Sequence, residues 1–249
     1  MSEPKGVTMS RHLSLLVVIA VLAFVASPFL FGQFGGYPPE LFPVPQDDPP
    51  VQPAGWAFSI WGVIYAWLVA SAAFGLVARR STPDWTAMRL PLLASLVMGF
   101  FWIPLAGHAP VWATLLILLM TACAILAMIR AGTGDEWWQV LPLGLYAGWL
   151  TAASGVSIGI VLGGYAIMSP VWAAILCLIL VCAVTLAVQV QRPMVWTYAL
   201  AVIWALFGVI VANLSPVSPA TVIVAGLGMM AIGLIAWRAR RTVTDPDHP

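Results

Sequence analysis

The sequence has very few charged residues: Asp, Glu, Lys and Arg make up 8% of its 249 residues, whereas 62% are hydrophobic. An average water-soluble domain carries roughly 25% charged residues, and a single core could not bury this much apolar surface. The formal net charge is only +1, with no basic block outside short loops, so nucleic acid is not expected as a partner. The composition therefore excludes a water-soluble fold. It predicts an integral membrane protein, with the lipid bilayer as an expected partner.

Residues that bind metals or form disulfides are also scarce. The three cysteines, Cys123, Cys177 and Cys182, lie in hydrophobic runs without a Cys-x-x-Cys spacing. Of the three histidines, His12 and His248 lie near the termini, which leaves too few for a bis-histidine haem site. The sequence thus predicts no disulfide, no metal site and no covalent cofactor.

The long hydrophobic runs lack Asp, Glu, Lys, Arg and His near their centres. Ion-coupled transporters and pumps need ionisable groups at that depth, so this class of protein is disfavoured. No nucleophile stands beside a general base either, so the sequence offers no catalytic residue, and an enzyme is the less favoured interpretation.

Uncharged runs long enough to span a bilayer occur eight times, since a spanning helix needs about 20 mostly apolar residues. The predicted spans are 13–32, 55–77, 90–106, 110–130, 138–161, 170–190, 194–213 and 218–238. They predict an all-α fold, a polytopic membrane bundle of about eight transmembrane helices.

The positions of Lys and Arg test this count, because cytoplasmic loops retain these residues. If the N-terminus is cytoplasmic, all ten fall on the cytoplasmic side, and the only charged residues of the first outer loop, 33–54, are acidic. Both termini are therefore predicted to be cytoplasmic, in a bacterial inner membrane or a plasma membrane. Lys5 and Arg11 would also suit a cleaved signal peptide, although the first run is long for one.

The loop 33–54 is the one long connection and contains seven prolines, which favour an extended and semi-rigid chain. Two interpretations stay open for it: a lid over a binding site, or a solvated linker between two spans.

Tryptophan is abundant, with 13 residues. Nine of them, including Trp56, Trp85 and Trp102, lie at predicted helix ends, where an amphipathic ring suits the membrane interface. The other four lie within spans: Trp61, Trp67, Trp149 and Trp204. An unpaired indole N–H costs about a few kcal/mol in hydrocarbon, so we expect these four to find partners or to face a pocket.

The segment PAGWAFSIWGVIY (53–65) places Phe58, Trp61 and Tyr65 at i, i+3 and i+7, on one face of a helix. Such a stripe is more often simple helix packing. Here Gly55 and Gly62 are expected to allow close backbone approach, and the proline-rich loop leads into the stripe. The pattern therefore predicts a wall on which a planar apolar ligand stacks.

The same segment resembles the second-helix signature of the TspO/MBR family, the tryptophan-rich sensory proteins related to the translocator protein. The segment around Trp102-Ile103-Pro104-Leu105 resembles that family's third helix, Asn-x-x-Trp-Ser-Pro-Leu, with Gly99 in the place of the asparagine. LPLGLYAGWLTAASGVSI (141–158) resembles its fifth helix, with Ser157 in the place of a second asparagine. The resemblance implies a five-helix bundle over 13–161 and a three-helix C-terminal membrane extension over 165–238, as in the family's longer branch.

The resemblance also implies a function. Proteins of this family are helical bundles, often dimeric, that bind porphyrins and other tetrapyrroles or sterol-like molecules in a pocket closed by the first outer loop. Carried over to this chain, the ligand-binding residues would be Trp56, Phe58, Trp61, Tyr65, Trp102, Tyr146 and Trp149. The implied role is sensory or regulatory, or ligand transport.

Three alternatives stay open. The first is an uncoupled transporter or facilitator of a neutral hydrophobic solute, the second is a tetrapyrrole-degrading activity, and the third is a membrane scaffold without a ligand.

Overall fold

The computed structural model describes residues 5–215 and 218–244, and every long element in that part of the chain is an α-helix. The helices are α1 (Lys5–Phe31), α2 (Ile60–Val77), α3 (Pro83–Ala106), α4 (Pro110–Arg130), α5 (Leu141–Gly164), α6 (Pro170–Gln191), α7 (Trp196–Ala212) and α8 (Pro219–Thr244). Short 3-10 turns cover Pro39–Leu41 and Gly55–Ser59, and a π-helical turn, Glu136–Val140, leads into α5. The prediction of an all-α bundle is confirmed.

Seven of these helices are long and apolar enough to cross a membrane. The exception is α7, which has 17 residues. At 1.5 Å per residue it is about 26 Å long, against a hydrocarbon core of about 30 Å. The chain is therefore an integral membrane protein with seven candidate spans among its described residues, and the eighth span stays a prediction.

The largest difference from the predicted boundaries that affects packing is at the start of α3. Pro83 begins this helix, because proline suits a first turn whose N–H groups have no helical partner. Arg89, which the sequence had placed in the preceding loop, consequently lies inside α3 and is 1% exposed. Its guanidinium donates to the carbonyl oxygens of Gly75 (3.3 Å), Arg79 (2.8 Å) and Arg80 (2.6 Å). Arg89 thus binds carbonyl groups in the last turn of α2 and in the loop that follows it.

The short loops at that end of the bundle are joined by an ion pair. Arg79 donates to both carboxylate oxygens of Asp135, at 2.8 and 3.1 Å, and the indole N–H of Trp85 donates to the same carboxylate at 2.8 Å. These hydrogen bonds, that from Arg79 above all, hold the pKa of Asp135 below its usual range. Trp85 lies at the start of α3, as expected, but it is 1% exposed and packs against Gly75, so its ring contacts the protein rather than lipid headgroups. We call this the arginine end, and the opposite end, which carries the loop 33–54, the loop end.

Helix α5 is the centre of the bundle and is buried on all sides over most of its length. Glycines let its neighbours approach closely. A Cβ on Gly148 would overlap the backbone of Tyr198 in α7, and one on Gly155 would overlap Val181 in α6, while Gly159 packs against the loop 33–54. The row of small residues on α5 is therefore used within one chain.

The predicted division into a five-helix bundle and a three-helix extension stays a prediction, but the packing joins the two parts. Val188 of α6 and Tyr198, Ala201 and Ala205 of α7 belong to the same hydrophobic cluster as residues of α1 to α5. Helix α8 then packs on α6 and α7.

Candidate functional site

A cavity of about 420 Å³ lies among α1 to α5, toward the loop end. This volume is within the range of about 300–1,000 Å³ that is usual for small-molecule sites. Among the described residues, no acidic or basic side chain lines the cavity. Its aromatic lining residues are Phe24, Phe29, Phe34, Phe58, Trp61, Tyr65, Trp102 and Trp149.

The aromatic rings of the cavity wall hold one another in place. Trp61 and Tyr65 are stacked, with ring centroids 5.1 Å apart and planes inclined by 24°. Phe24 meets both rings edge-on, at 5.7 and 5.3 Å. Trp149 meets Trp61 edge-on at 6.2 Å and Phe58 at 5.9 Å. Each such pair contributes about 0.5–1.5 kcal/mol beyond simple burial, so the wall is a preorganised surface.

The predicted stripe therefore faces the cavity. The 3-10 turn Gly55–Ser59 sets Phe58 at the entry to α2, and Trp61 and Tyr65 follow in the first two turns of that helix. The two glycines act differently from what we expected: a Cβ on Gly55 or Gly62 would meet no atom within 4 Å. Close approach of another backbone does not occur at either position.

Two of the four tryptophans within predicted spans donate their indole N–H groups to backbone carbonyl oxygens and do not face the cavity. The indole N–H of Trp67 donates to the carbonyl oxygen of Trp137 at 2.8 Å, and that of Trp204 donates to Ala57 at 2.9 Å. Of the four tryptophans, only Trp61 and Trp149 line the cavity.

Trp149 differs from Trp67 and Trp204, because its indole N–H has no acceptor. Its side chain is 2% exposed, and its Nε1 has no hydrogen-bond partner. Trp102, on the same cavity wall, is half-buried and donates its indole N–H to the carbonyl oxygen of Ala113 at 2.9 Å. The sequence had placed Trp102 in the interface by depth and in the pocket by resemblance; in the structure its ring lines the cavity.

A smaller cavity of about 40 Å³ adjoins the first and shares Phe58, Trp102 and Trp149 with it. Tyr37 of the loop and Ser157 of α5 line the smaller cavity, and their hydroxyl oxygens are 2.5 Å apart. Ser157, which stands in the place of the family's second asparagine, therefore binds the loop. Burial raises the pKa of the Tyr37 phenol above its usual value.

The loop 33–54 packs onto the bundle. A lid over a binding site requires such packing, whereas a solvated linker between two spans does not. Phe42 lies against Gly164 at the end of α5, and Val51 lies against Gly159. The far end of the loop is bound by α7, because the N–H of Ala54 donates to the carbonyl oxygen of Gly208 at 3.0 Å.

Two of the seven residues named by resemblance do not line the cavity. Trp56 is 41% exposed and packs edge-on against Trp204, with centroids 5.0 Å apart. Tyr146 is fully buried behind Phe24, and its hydroxyl lies 2.8 Å from that of Ser95. Their part in ligand binding stays a prediction.

The sequence did not single out Phe24 or Phe34, although both line the cavity. The one sequence feature that could have pointed to Phe24 was Gly99, which stands in the place of the family's asparagine. A Cβ at Gly99 would be 2.6 Å from the Phe24 ring, so the ring fills the space that an asparagine side chain would need.

The mouth of the cavity lies at the loop end, between the end of α1 and the start of α2. Phe29, Gln33, Gly55 and Ser59 are lining residues that are also exposed at the surface. This opening carries two polar side chains, those of Gln33 and Ser59.

Comparison with known proteins agrees with this architecture. The model of the TSPO-like protein family matches residues 12–237, which reach from α1 into α8. No match was found among curated proteins or among solved structures. Because the family match extends over nearly the whole described bundle, including the three C-terminal helices, the chain belongs to the TSPO-like protein family.

Proposed function

We propose that this membrane protein binds a planar hydrophobic ligand, a tetrapyrrole or a sterol-like molecule, noncovalently in the 420 Å³ cavity. The observation that carries the proposal is the wall formed by the stacked rings of Trp61 and Tyr65, which Phe24 meets edge-on. A flat apolar molecule gains area burial and ring contacts on such a wall, and it requires no counter-charge from the protein.

Five of the residues named by resemblance would touch the ligand directly: Phe58, Trp61, Tyr65, Trp102 and Trp149. Tyr146 would act by holding the ring of Phe24, and Trp56 by packing against α7 through Trp204. The loop 33–54 would cover the ligand.

A sensory or regulatory role fits a cavity with its mouth at one end. The core between the cavity and the arginine end is closely packed, with Leu68, Leu92 and Leu96 almost fully buried. A facilitator for hydrophobic solutes would need a second opening through this core, so binding and sensing is the better supported role. Ligand transport would require a rearrangement of the same packing.

The arginine end would face the cytoplasm of a bacterial inner membrane or plasma membrane, because Arg79, Arg130 and Arg192 lie in or beside its short loops. A homodimer would use exposed apolar helix faces, such as that of Leu118 and Leu119 on α4, since the glycine row of α5 is buried within the chain.

The test is a titration of the detergent-purified full chain with protoporphyrin IX, followed by quenching of tryptophan fluorescence. Saturable quenching is expected, and Trp61→Ala should weaken the affinity by about fivefold or more, because it removes contacts worth about 1 kcal/mol. A change in the porphyrin spectrum under light or peroxide would indicate the degrading activity instead.

The matched control is Trp172→Ala. This variant also removes one tryptophan, but its ring is 66% exposed at the start of α6, away from the cavity. Unsaturable quenching, or equal affinities for the two variants and the unaltered protein, would contradict the proposed site.

A further inference from the structure

Helix α8 carries an exposed apolar face along most of its length. Its main neighbours are α6 and α7, and it is the least buried of the seven candidate spans. Large apolar side chains that are 46% to 64% exposed follow one another at spacings of three and four residues: Ile223, Leu227, Met230, Leu234 and Trp237. Such spacings form one side of a helix, which we call the outer face of α8. In a membrane this face lies against lipid acyl chains.

Arginines continue the outer face beyond its apolar residues. Arg238 follows Leu234 by four positions, and Arg241 follows Trp237 by four positions, so both lie on the same side of the helix. Both are exposed. The guanidinium carbon of Arg241 lies over the ring of Trp237, 3.9 Å from its centroid. Because tryptophan and arginine suit the membrane interface, these residues mark the level of the lipid headgroups at the arginine end.

The length of α8 allows its last turns to leave the hydrocarbon. The helix has 26 residues, Pro219–Thr244. At 1.5 Å per residue it is about 39 Å long, against a hydrocarbon core of about 30 Å. The residues that suit water lie at its C-terminal end, where Arg238, Arg240 and Arg241 follow one another closely. The arginines can therefore reach lipid phosphates without drawing the apolar face out of the bilayer.

The acidic residues of the arginine end lie elsewhere on the bundle. Among the described residues they are Asp84, Asp135 and Glu136, at the start of α3 and just before α5. Asp135 pairs with Arg79, and the π-helical turn that begins at Glu136 packs on α2 and α5. By contrast, Pro219–Thr244 contains three arginines and no acidic residue. The C-terminal end of α8 therefore attracts anions.

We propose that the outer face of α8 binds an anionic phospholipid of the leaflet at the arginine end, with acyl chains along Leu227, Met230 and Leu234 and the phosphate at Arg238 and Arg241. Basic residues beside a spanning helix attract anionic lipids, and a guanidinium can donate two hydrogen bonds to one phosphate. A zwitterionic lipid offers the same phosphate but carries its own cation, so it should bind less tightly. This site is separate from the aromatic cavity and does not depend on its ligand.

The test titrates the detergent-purified full chain with dioleoyl phosphatidylglycerol and, separately, with dioleoyl phosphatidylcholine, which has the same acyl chains. Native mass spectrometry counts the lipid molecules bound. We expect the first phosphatidylglycerol to bind about fivefold or more tightly than the first phosphatidylcholine. Combining Arg238→Gln with Arg241→Gln should reduce this preference to about onefold, because the acyl-chain contacts remain and the charges do not.

The matched control combines Arg11→Gln with Arg80→Gln. It also removes two arginines, but from α1 and from the loop after α2, whereas α8 packs on α6 and α7. The preference for phosphatidylglycerol should persist in this control. Because Arg238 and Arg241 are exposed, the α8 variant should unfold at about the same temperature as the unaltered protein, so that a lost preference is not a loss of fold.

Three results would overturn the inference. The first is equal binding of the two lipids by the unaltered protein, and the second is a preference that persists in the α8 variant. The third is a preference that falls equally in the control, because selectivity would then arise from the total charge of the protein. Adding an excess of inorganic phosphate should leave phosphatidylglycerol bound, since free phosphate lacks the acyl chains. Displacement by inorganic phosphate would show that the arginines bind a free anion instead of a lipid.

Discussion

Asn213, directly after the last residue of α7, donates its side-chain amide to the carbonyl oxygen of Pro50 over 2.8 Å, across 163 positions of sequence. The same amide group donates to Val209 at 2.8 Å, and Asn213 is 4% exposed. A buried polar contact thus fastens the loop 33–54 to a helix of the C-terminal part of the chain.

Replacing this amide should loosen the loop. Asn213→Ala leaves the carbonyl oxygen of Pro50 without its partner, and we expect a local cost of about 1–3 kcal/mol. Amide hydrogen exchange in 44–54 should become faster, and exchange in α3 and α4 should stay unchanged. Leu214→Ala, at the exposed neighbouring position, is the control. Equal exchange in the two variants would show that the side-chain amide of Asn213 does not hold the loop.

A methyl group at the contact of α5 and α7 should be poorly tolerated. Gly148→Ala would place its Cβ against the backbone of Tyr198, which cannot move as a flexible side chain can. Overpacking of this kind costs about 1–3 kcal/mol, so thermal unfolding in detergent should occur at lower temperature.

Gly62→Ala is the matched comparison, because a Cβ there meets no atom within 4 Å. In a helix interior, alanine is favoured over glycine by about 0.5–1 kcal/mol, so this variant should unfold at the same or a higher temperature. A similar destabilisation by both substitutions would contradict the close packing of α5 on α7.

The ion pair at the arginine end should make stability depend on acidic pH. Since Arg79 lowers the pKa of Asp135, the carboxylate contributes stability above the unfolded pKa of an aspartate, near 4, and this contribution is lost as pH falls through the lower folded value. Asp135→Asn should lower the unfolding temperature at pH 7, and the difference from the unaltered protein should shrink with acidification. A difference that is constant with pH would contradict the pairing.

The loop end should respond to alkaline pH. Burial raises the pKa of Tyr37, so its neutral phenol contributes stability below about pH 10, the usual tyrosine value, and this contribution declines as pH rises further. Limited proteolysis of the loop should therefore accelerate above about pH 10. In Tyr37→Phe, cleavage should be somewhat faster at neutral pH, with a smaller increase at high pH. The same alkaline increase in both proteins would rule out Tyr37 as the cause.

The sequence predicted most helices because uncharged runs of sufficient length can hide their backbone from lipid only as helices. It misplaced the start of α3, since Arg89 indicated a loop; only the folded bundle supplies the carbonyl oxygens that satisfy a buried guanidinium. Trp85 was assigned to the interface for the same reason, because Asp135, its partner, is 50 positions away.

The cavity was predictable in part. The spacing of Phe58, Trp61 and Tyr65 indicated one wall, because helical periodicity is local. The contribution of Phe24 was hidden, since α1 is apolar on every face and nothing in its own sequence marks the side that meets Gly99. The unpartnered N–H of Trp149 is a property of its neighbours in space, which a single sequence does not contain.

The hydrogen bond from Trp204 to Ala57 has a consequence for biosynthesis, because it joins residues 147 positions apart. When α1 to α5 have left the ribosome, the residues of the aromatic wall are already synthesised, but Ala205, which lines the adjoining cavity, and α7, which fastens the loop, are not. The candidate site is therefore complete only after α7 has been synthesised. Nascent chains or products truncated before that point would insert into the membrane without a finished pocket.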